Sequence, residues 1–432
     1  DVTLCAEPTG LRITDVQVRS NLKDKRIDFS IGFEGETPSE VTAVADVYDG
    51  AKKVKSFTSK GFTAKPGERF VFGGAWADPK LWDTDAPQNV YTVKVRLEKG
   101  GKAIDELYAE EFGYREVRVE GRNVLLNGSP YHMRPEYSNY CATSALAPED
   151  IAAAAKNMRA HGFNFEIDGN YAFDEGSLAM LEFSIREYSK NGIPSVCGLV
   201  HPNQFYQKEH FWSFGPRYDR IVKHMIRRLQ NVPGLFFWSS THNAAGYEAD
   251  QNPEIISGRD DEIPSGILNW RQRFRGYAKT VTVKLAAWDP VHPVYHHESG
   301  ALCGFYTLNN YSDWAPIQER SDWYEHWEKE GVMPIFIVEY GTPHLASWSS
   351  YRGEDNGRNI WSARGATQTC WLDEFNSSII GERAFHASPV KQRNLELAEF
   401  HTKGNKPVYF GAWNKVQYED EDLNEVLSLF AK

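Results

Sequence analysis

From Gly10 to about Arg115 apolar and polar residues alternate in short runs: LRITDVQVRS, RIDFSIGFEG, VTAVADVYDG, RFVFGGAW and VYTVKVRLEK. Gly, Pro, Asn and Asp stand between them. A period of two puts every second side chain on one face of a strand, so this stretch predicts an antiparallel sandwich of roughly seven strands. It holds no dense cluster of reactive side chains, and its expected role is to support the segment that follows.

Beyond VRVEGRNVLLNGSPYHM the texture changes to strand, helix, strand. APEDIAAAAKNMRAHG predicts a helix, with Pro in its first turn and Gly162 at its end, and FNFEIDGN behind it reads as a buried strand. The alternation repeats through IPSVCGLV, LFFWSS, PVYHHES, GFYTLNNY, PIFIVEYG and KPVYFGAW, with helical stretches between most of them. With PYHMRPEY as the first strand, the pattern gives eight β/α units, which fit a closed (β/α)8 TIM barrel better than an open doubly wound sheet. The fold expected is therefore a β-sandwich over 1–117 followed by a barrel over 118–432. No glycine-rich phosphate fingerprint follows a strand, which argues against a nucleotide site.

Composition narrows the partners. The 432 residues carry 48 Lys and Arg against 59 Asp and Glu, a formal net charge of -11 that opposes binding to nucleic acid or anionic lipid. No apolar run approaches the ~20 residues needed to cross a bilayer, so membrane insertion is not expected. The five cysteines lack a CxxC spacing, which indicates neither a zinc site nor a dense disulfide framework. The 13 Trp and 21 Tyr suit stacking on sugar rings as well as they suit a large core. No signal peptide opens the sequence, and an additional N-terminal domain or a homo-oligomer is an expected partner. The expected location is secreted or periplasmic.

In a barrel of this kind the chemistry belongs at the C-terminal ends of the strands. The residues assigned there are polar: Arg134 and Glu136 on strand one, Asp168 on strand two, His201 on three, His242 and Asn243 on four, and His296, His297 and Glu298 on five. Asn309, Asn310 and Tyr311 follow on six, Glu339 on seven, and Trp413 and Asn414 on eight. Carboxylates, imidazoles, amides and aromatic rings on one rim suit a carbohydrate, whose hydroxyls need polar partners and whose ring face needs a flat apolar one. Glu339 follows four apolar strand residues in PIFIVEYG, a place suited to a nucleophile; a rim Glu neutralised by a local Arg such as Arg134 is the structural alternative. No HExxH-type spacing links His201, His242, His296 and His297, so neither a metal nor another cofactor is expected.

FGYREVRVEGRNVLLNGSPYHMR, KLWDTDAPQNVYTVKVRL and PIFIVEYG together resemble glycoside hydrolase family two, the β-galactosidase, β-mannosidase and β-glucuronidase group. The first segment resembles the passage from that family's immunoglobulin-like sandwich into its barrel, and the last resembles its nucleophile strand. The resemblance implies a retaining β-glycosidase with Glu339 as nucleophile, although the sugar-binding jelly-roll domain that usually comes first is missing from this sequence. The family's Asn-Glu pair after strand four has no counterpart: LFFWSSTHNAAGY puts Ala244 after Asn243. A retaining enzyme needs a second carboxyl group or a substitute proton donor. His242 and Glu298 are the first candidates by position, and Glu354 lies in a rim insertion that could fold over the site.

The expected function is hydrolysis of a β-glycosidic bond at the non-reducing end of an oligo- or polysaccharide, in polysaccharide degradation. The expected substrate-binding residues are Arg134, Asp168, His201, Asn243, His297, Tyr311, Trp348 and Trp413. The alternative is a catalytically inactive carbohydrate-binding protein that keeps the pocket without the acid.

Overall fold

The structure is a computed structural model that describes residues 10–35, 38–138, 147–168, 175–199, 216–239, 268–297, 300–302, 304–310 and 324–340. Its two compact units are Asp1–Ala249 with Ile255–Thr307 and Val332–Phe336, and Asp250–Glu254 with Leu308–Gly331 and Ile337–Lys432.

The alternating N-terminal runs form nine strands: β1 (Arg12–Asn21), β2 (Arg26–Glu34), β3 (Ser39–Asp49), β4 (Lys52–Thr58), β5 (Phe62–Ala64), β6 (Arg69–Ala75), β7 (Tyr91–Lys99), β8 (Lys102–Glu106) and β9 (Glu110–Phe112). One sheet has the order β1-β2-β6, and the other runs β4-β3-β7-β8, with β5 on β3 and β9 on β7. All these pairings are antiparallel. Two short strands more than the sequence pattern suggested arise because β5 and β9 are three-residue pieces, too brief to show a period. Every second residue enters a shared core: Val41, Ala43, Ala45 and Val47 from β3, and Tyr91, Val93, Val95 and Leu97 from β7, meet Ile27, Phe29, Ile31 and Phe33 from β2.

Strands β10 (Val117–Glu120), β11 (Asn123–Leu126) and β12 (Ser129–Pro130) make a small antiparallel sheet at the passage between domains. A parallel sheet then begins, in the order β13 (Pro135–Ser138), β14 (Phe165–Asp168), β15 (Ser195–Gly198), β16 (Leu235–Ser239) and β17 (Val294–Tyr295). Helices α1 (Pro148–Ala160), α2 (Glu175–Lys190), α3 (Pro216–Leu229) and α4 (Leu268–Trp288) fall between these strands in sequence. Helix α1 starts as its sequence predicts, with Pro148 in the first turn and the Asp150 carboxylate accepting from the Ala147 N–H at 2.9 Å.

Successive strand residues serve opposite layers. Trp238, Leu235, Cys197 and Val294 join Leu181, Ile185, Val222, Met225, Val281 and Leu285 from the helices in one buried cluster. Phe237, the neighbour of Trp238, instead meets Phe165, Tyr295 and Phe305, and Tyr295 also meets Phe336. The parallel strands thus carry an aromatic layer on one face and helices on the other, and among the described residues they form a five-stranded sheet, not the closed eight-stranded barrel expected.

β18 (Gly300–Leu302), a short strand the sequence pattern does not mark, pairs antiparallel with β19 (Phe305–Asn310), the strand expected of GFYTLNNY, turning at Gly304, whose φ of 90° suits glycine. The hairpin belongs to a three-stranded sheet, β18-β19-β20, with β20 at Ile335–Tyr340; between them in sequence stands the short helix α5 (Glu325–Glu330).

Candidate functional site

Five parallel strands bring their C-terminal ends to one edge, and Ser138, Asp168, Gly198 and Ser239 stand there. The edge continues past β17 into His296 and His297, both buried. Asp168 is therefore where the sequence put it, in register with Ser138 on one side and Cys197 on the other. Glu339 is the fifth residue of β20, after Ile335, Phe336, Ile337 and Val338. His201, His242, Asn243, Glu298, Tyr311, Trp348 and Trp413 lie outside the described residues, as do Glu354 and Asn414.

Arg134 is not at this edge. It precedes β13, and its surroundings are those of the strand starts: its Nε donates to Gly162 O at 2.5 Å and its backbone N–H to Asn164 Oδ1 at 2.7 Å. With Pro135 opposite Phe165 and Ser138 opposite Asp168, Arg134 and Asp168 belong to opposite ends of the same strand pair. The four residues of β13 separate those ends by roughly 13 Å. The sequence reading placed PYHMRPEY a few residues out of phase, since no period fixes so short a strand.

The two histidines after β17 differ in kind. His296 Nε2 lies 2.7 Å from Thr282 Oγ1, on α4, and that hydroxyl already donates to Ala278 O at 2.9 Å. The ring therefore donates to the hydroxyl oxygen. Complete burial pushes the His296 imidazole down to about 3, so it is a neutral structural group, tied to the helix layer and unsuited to proton transfer near neutral pH. Thr307 Oγ1 donates to its carbonyl oxygen at 2.6 Å. His297 stands two residues beyond Tyr295 of the aromatic layer and is 2 % exposed. Among the described residues no group of three or more His, Cys, Asp or Glu is arranged to hold a metal ion.

The strand starts carry a second, wholly buried polar constellation that the sequence reading missed. Asp289, 0 % exposed, accepts from Gln17 Nε2 at 2.8 Å and Val291 N–H at 3.0 Å on Oδ1. Its Oδ2 accepts from Trp238 Nε1 at 2.7 Å and from His292 Nδ1 at 2.7 Å. Burial pushes its carboxyl up, but His292, Trp238 and the Val291 amide more than offset that and hold it below the usual carboxylate range. Arg115 approaches from the other side, donating to Pro233 O at 2.8 Å, to Leu235 O, and to His292 Nε2 at 3.0 Å. Burial pushes the Arg115 guanidinium down to about 10, which leaves it charged at neutral pH.

Asn231 completes the joint. Its Nδ2 donates to Val16 O at 2.7 Å while its Oδ1 accepts the Val18 N–H at 2.9 Å, pairing with β1 as a neighbouring strand would. β1 is an edge strand, and the α3–β16 segment covers that edge. Asp15, beside it, binds Arg69 at 2.7 Å and Arg227 at 3.5 Å and accepts from Gln230 at 3.2 Å. The sandwich is thus bonded to the starts of strands β16 and β17, the end remote from the candidate site. The sequence signals for this, Asp289-x-x-His292 and the Arg of FGYREV, are ordinary in isolation.

The family model described as Glycosyl hydrolases family 2 matches residues 11–115, the sandwich. Among solved structures, a β-glucuronidase of Bacteroides uniformis is similar at 16 % identity with a TM-score of 0.54, over 86 % of this chain and 45 % of that one. A β-galacturonidase of Eisenbergiella tayi bound to galacturonate is similar at 15 % identity and a TM-score of 0.53, over 86 % of this chain and 63 % of that one. For a putative β-galactosidase of Bacteroides fragilis the figures are 19 % and 0.53, over 77 % and 48 %. This chain spans less than two thirds of the length of each. By the sequence of its sandwich, and by fold across most of its length, the chain resembles glycoside hydrolase family two.

Proposed function

We propose that this chain is a retaining β-glycosidase built as a sandwich over 1–117 and a closed eight-stranded barrel over 118–432. The reading is carried by one observation: Glu339 stands near the C-terminal end of β20, behind four consecutive apolar strand residues, in a chain of family-two likeness. In this reading the Glu339 carboxylate attacks the anomeric carbon, the glycosidic C–O bond breaks, and a proton passes to the leaving oxygen. Water then attacks the glycosyl ester as Glu339 leaves, passing its proton to the residue that had protonated the leaving oxygen. His242 or Glu298 supplies the proton, in place of the carboxyl group that Ala244 lacks. Asp168 and His297 at the strand ends, with His201, Asn243, Tyr311, Trp348 and Trp413 from the rim, bind the terminal sugar; Arg134, bonded at the opposite edge, is withdrawn from this set. The substrate is the non-reducing end of an oligo- or polysaccharide, met outside the cytoplasm.

The replacement of the family's Asn-Glu pair by Asn243-Ala244 favours one other reading, a carbohydrate-binding protein that keeps the pocket and has lost hydrolysis. A panel of aryl β-glycosides, assayed with wild type, Glu339→Gln and His242→Ala, separates the two. Activated leaving groups need little protonation, so the glycosidase reading expects activity in wild type, none in Glu339→Gln, and a His242→Ala variant that fails only on natural linkages. A wild type that cleaves nothing while binding oligosaccharides in calorimetry establishes the binding protein instead.

A further inference from the structure

Two helices of this chain answer their charges along their own length: α2 pairs Glu182 with Arg186 and Glu187 with Lys190, and α5 pairs Glu325 with Lys329. Helix α3 does not. Its sequence, PRYDRIVKHMIRRL, holds five Lys and Arg against one Asp. Beyond Pro216, its exposed side chains among those described are Arg220, Lys223, His224, Arg227 and Arg228, every one basic. Like charges three and four residues apart repel, so this face costs the helix stability. The one acid in the helix, Asp219, is held by Lys284 of α4 at 2.7 Å. Two of the cations are met from outside, Arg228 by Glu182 of α2 at 2.8 Å and Arg227 by Asp15 of β1 at 3.5 Å. Lys223 Nζ lies 4.9 Å from the centroid of the Trp288 ring, a contact that orders the ammonium without neutralising it. Arg220 is in no ion pair with a described residue. In a chain of net charge -11, positive charge that the fold does not use is thus concentrated at Arg220 and Lys223.

The place of these cations has a direction. Helix α3 runs from the end of β15 back to the start of β16, so Arg227 stands by the sandwich and Arg220 roughly 10 Å nearer the strand-end edge. A protein interface keeps an apolar centre from which lysine is depleted, and a membrane surface takes apolar side chains into its boundary. The exposed face of α3 has only cations, set at fixed spacing on a rigid helix, which fits a polyanionic chain. We propose that this face is an accessory binding surface for an anionic polysaccharide bearing sulfate or carboxylate groups, which runs from Arg227 toward Arg220 and so toward the strand-end edge. That the polyanion is a carbohydrate rests on the glycosidase reading above. Arg220 and Lys223 are its principal contacts, and Trp288 holds the Lys223 ammonium in place. A polymer held on α3 raises the effective concentration of its own end at the candidate site.

The experiment is calorimetric binding of the full chain to dextran sulfate, to polygalacturonate and to uncharged dextran, each at two salt concentrations. Wild type is compared with the reversal Arg220→Glu with Lys223→Glu, and with the control Lys52→Glu with Lys102→Glu, which changes net charge equally at two exposed lysines of the sandwich. The α3 reversal should fold as well as wild type, because it gives Arg227 an acidic partner one turn earlier in the helix. Wild type should bind at least one of the polyanions, more weakly as salt rises, and should ignore uncharged dextran. The α3 reversal should weaken that binding roughly ten- to a hundred-fold, and the control by less than about twofold. Arg220→Gln alone, at a side chain with no ion pair to lose, should weaken it roughly fivefold. A wild type that binds neither polyanion, or a control that weakens binding as much as the α3 reversal, overturns the proposal. Binding to phosphatidylserine vesicles in place of the polysaccharides, lost in the same reversal, overturns it in favour of a membrane surface. Because binding is read without turnover, its failure and the failure of the glycosidase reading on aryl β-glycosides are separate results.

Discussion

Arg115 holds its guanidinium 3.0 Å from Nε2 of His292, and because arginine only donates, that nitrogen must accept. The imidazole proton then sits on Nδ1, where it meets Asp289 Oδ2 at 2.7 Å. A cation from the passage between domains and an anion just before β17 are joined through the buried His292 ring. Removing the cation leaves the anion buried without its counterpart, which costs more than the pair itself contributes. Arg115→Met is expected to destabilise the chain by about 3–5 kcal/mol in urea unfolding. Arg115→Lys should recover little of this, since an ammonium cannot reach Pro233 O, Leu235 O and His292 together.

The joint makes the fold sensitive to acid. Burial raises the Asp15 carboxyl, but hydrogen bonding and charge from Arg69, with Gln230 and Thr14, bring it below its ordinary value; Asp289 is lowered as well. A folded-state value below the unfolded one of ~3.9 means that the stabilisation is complete above that pH. It is lost as pH falls through the folded values. The contribution of these two carboxylates to the unfolding free energy, followed from pH 7 down to pH 2, should decline below about pH 4. Asp15→Asn should reduce that slope while costing about 2 kcal/mol at pH 7.

His296 is lowered for a different reason, its complete burial, which the Ala278 backbone offsets only in part. The unfolded chain takes up a proton below ~6.5 that the folded chain refuses until about 3, so this group contributes stability that is full above ~6.5 and declines below it. Its ring resonances in NMR should not titrate between pH 5 and pH 8. A midpoint inside that interval would show that the Thr282 contact is not maintained in solution.

Gly113 separates the sandwich from the barrel by the thickness of a backbone. A Cβ placed there would lie 2.6 Å from Trp82 Cβ and 2.7 Å from Pro233 Cβ, both rigidly held. Gly113→Ala is expected to destabilise by about 1–3 kcal/mol, read from thermal or urea unfolding. A neutral result would mean that the domains can move apart at this point.

The nucleophile assignment has its own test. In Glu339→Gly, azide should restore cleavage of an aryl β-glycoside by attacking the anomeric carbon from the vacated side. The product would be the α-glycosyl azide, identified by NMR. Recovery of the β-anomer, or no recovery alongside an active wild type, would move the nucleophile elsewhere.

Much of the fold was already legible in the sequence, because it is local and periodic. Alternation of two over residues 10–115 specifies strands buried on one face, and Pro148 with Gly162 brackets α1, so the sandwich and the first β/α units follow from patterns a few residues long. Asp168 at a strand end and Glu339 behind four apolar residues were readable for the same reason. The sequence could not place Arg134, whose strand is four residues long, nor tell His296 from His297, because one residue of phase decides which face of a strand a side chain takes. The joint was beyond it altogether. Gln17 and Asp289 are 272 residues apart, and Arg115 and His292 are 177 apart. Which buried donor meets which buried acceptor is settled only when the barrel start closes on the edge of β1, since only there is water excluded and every polar group obliged to find a partner.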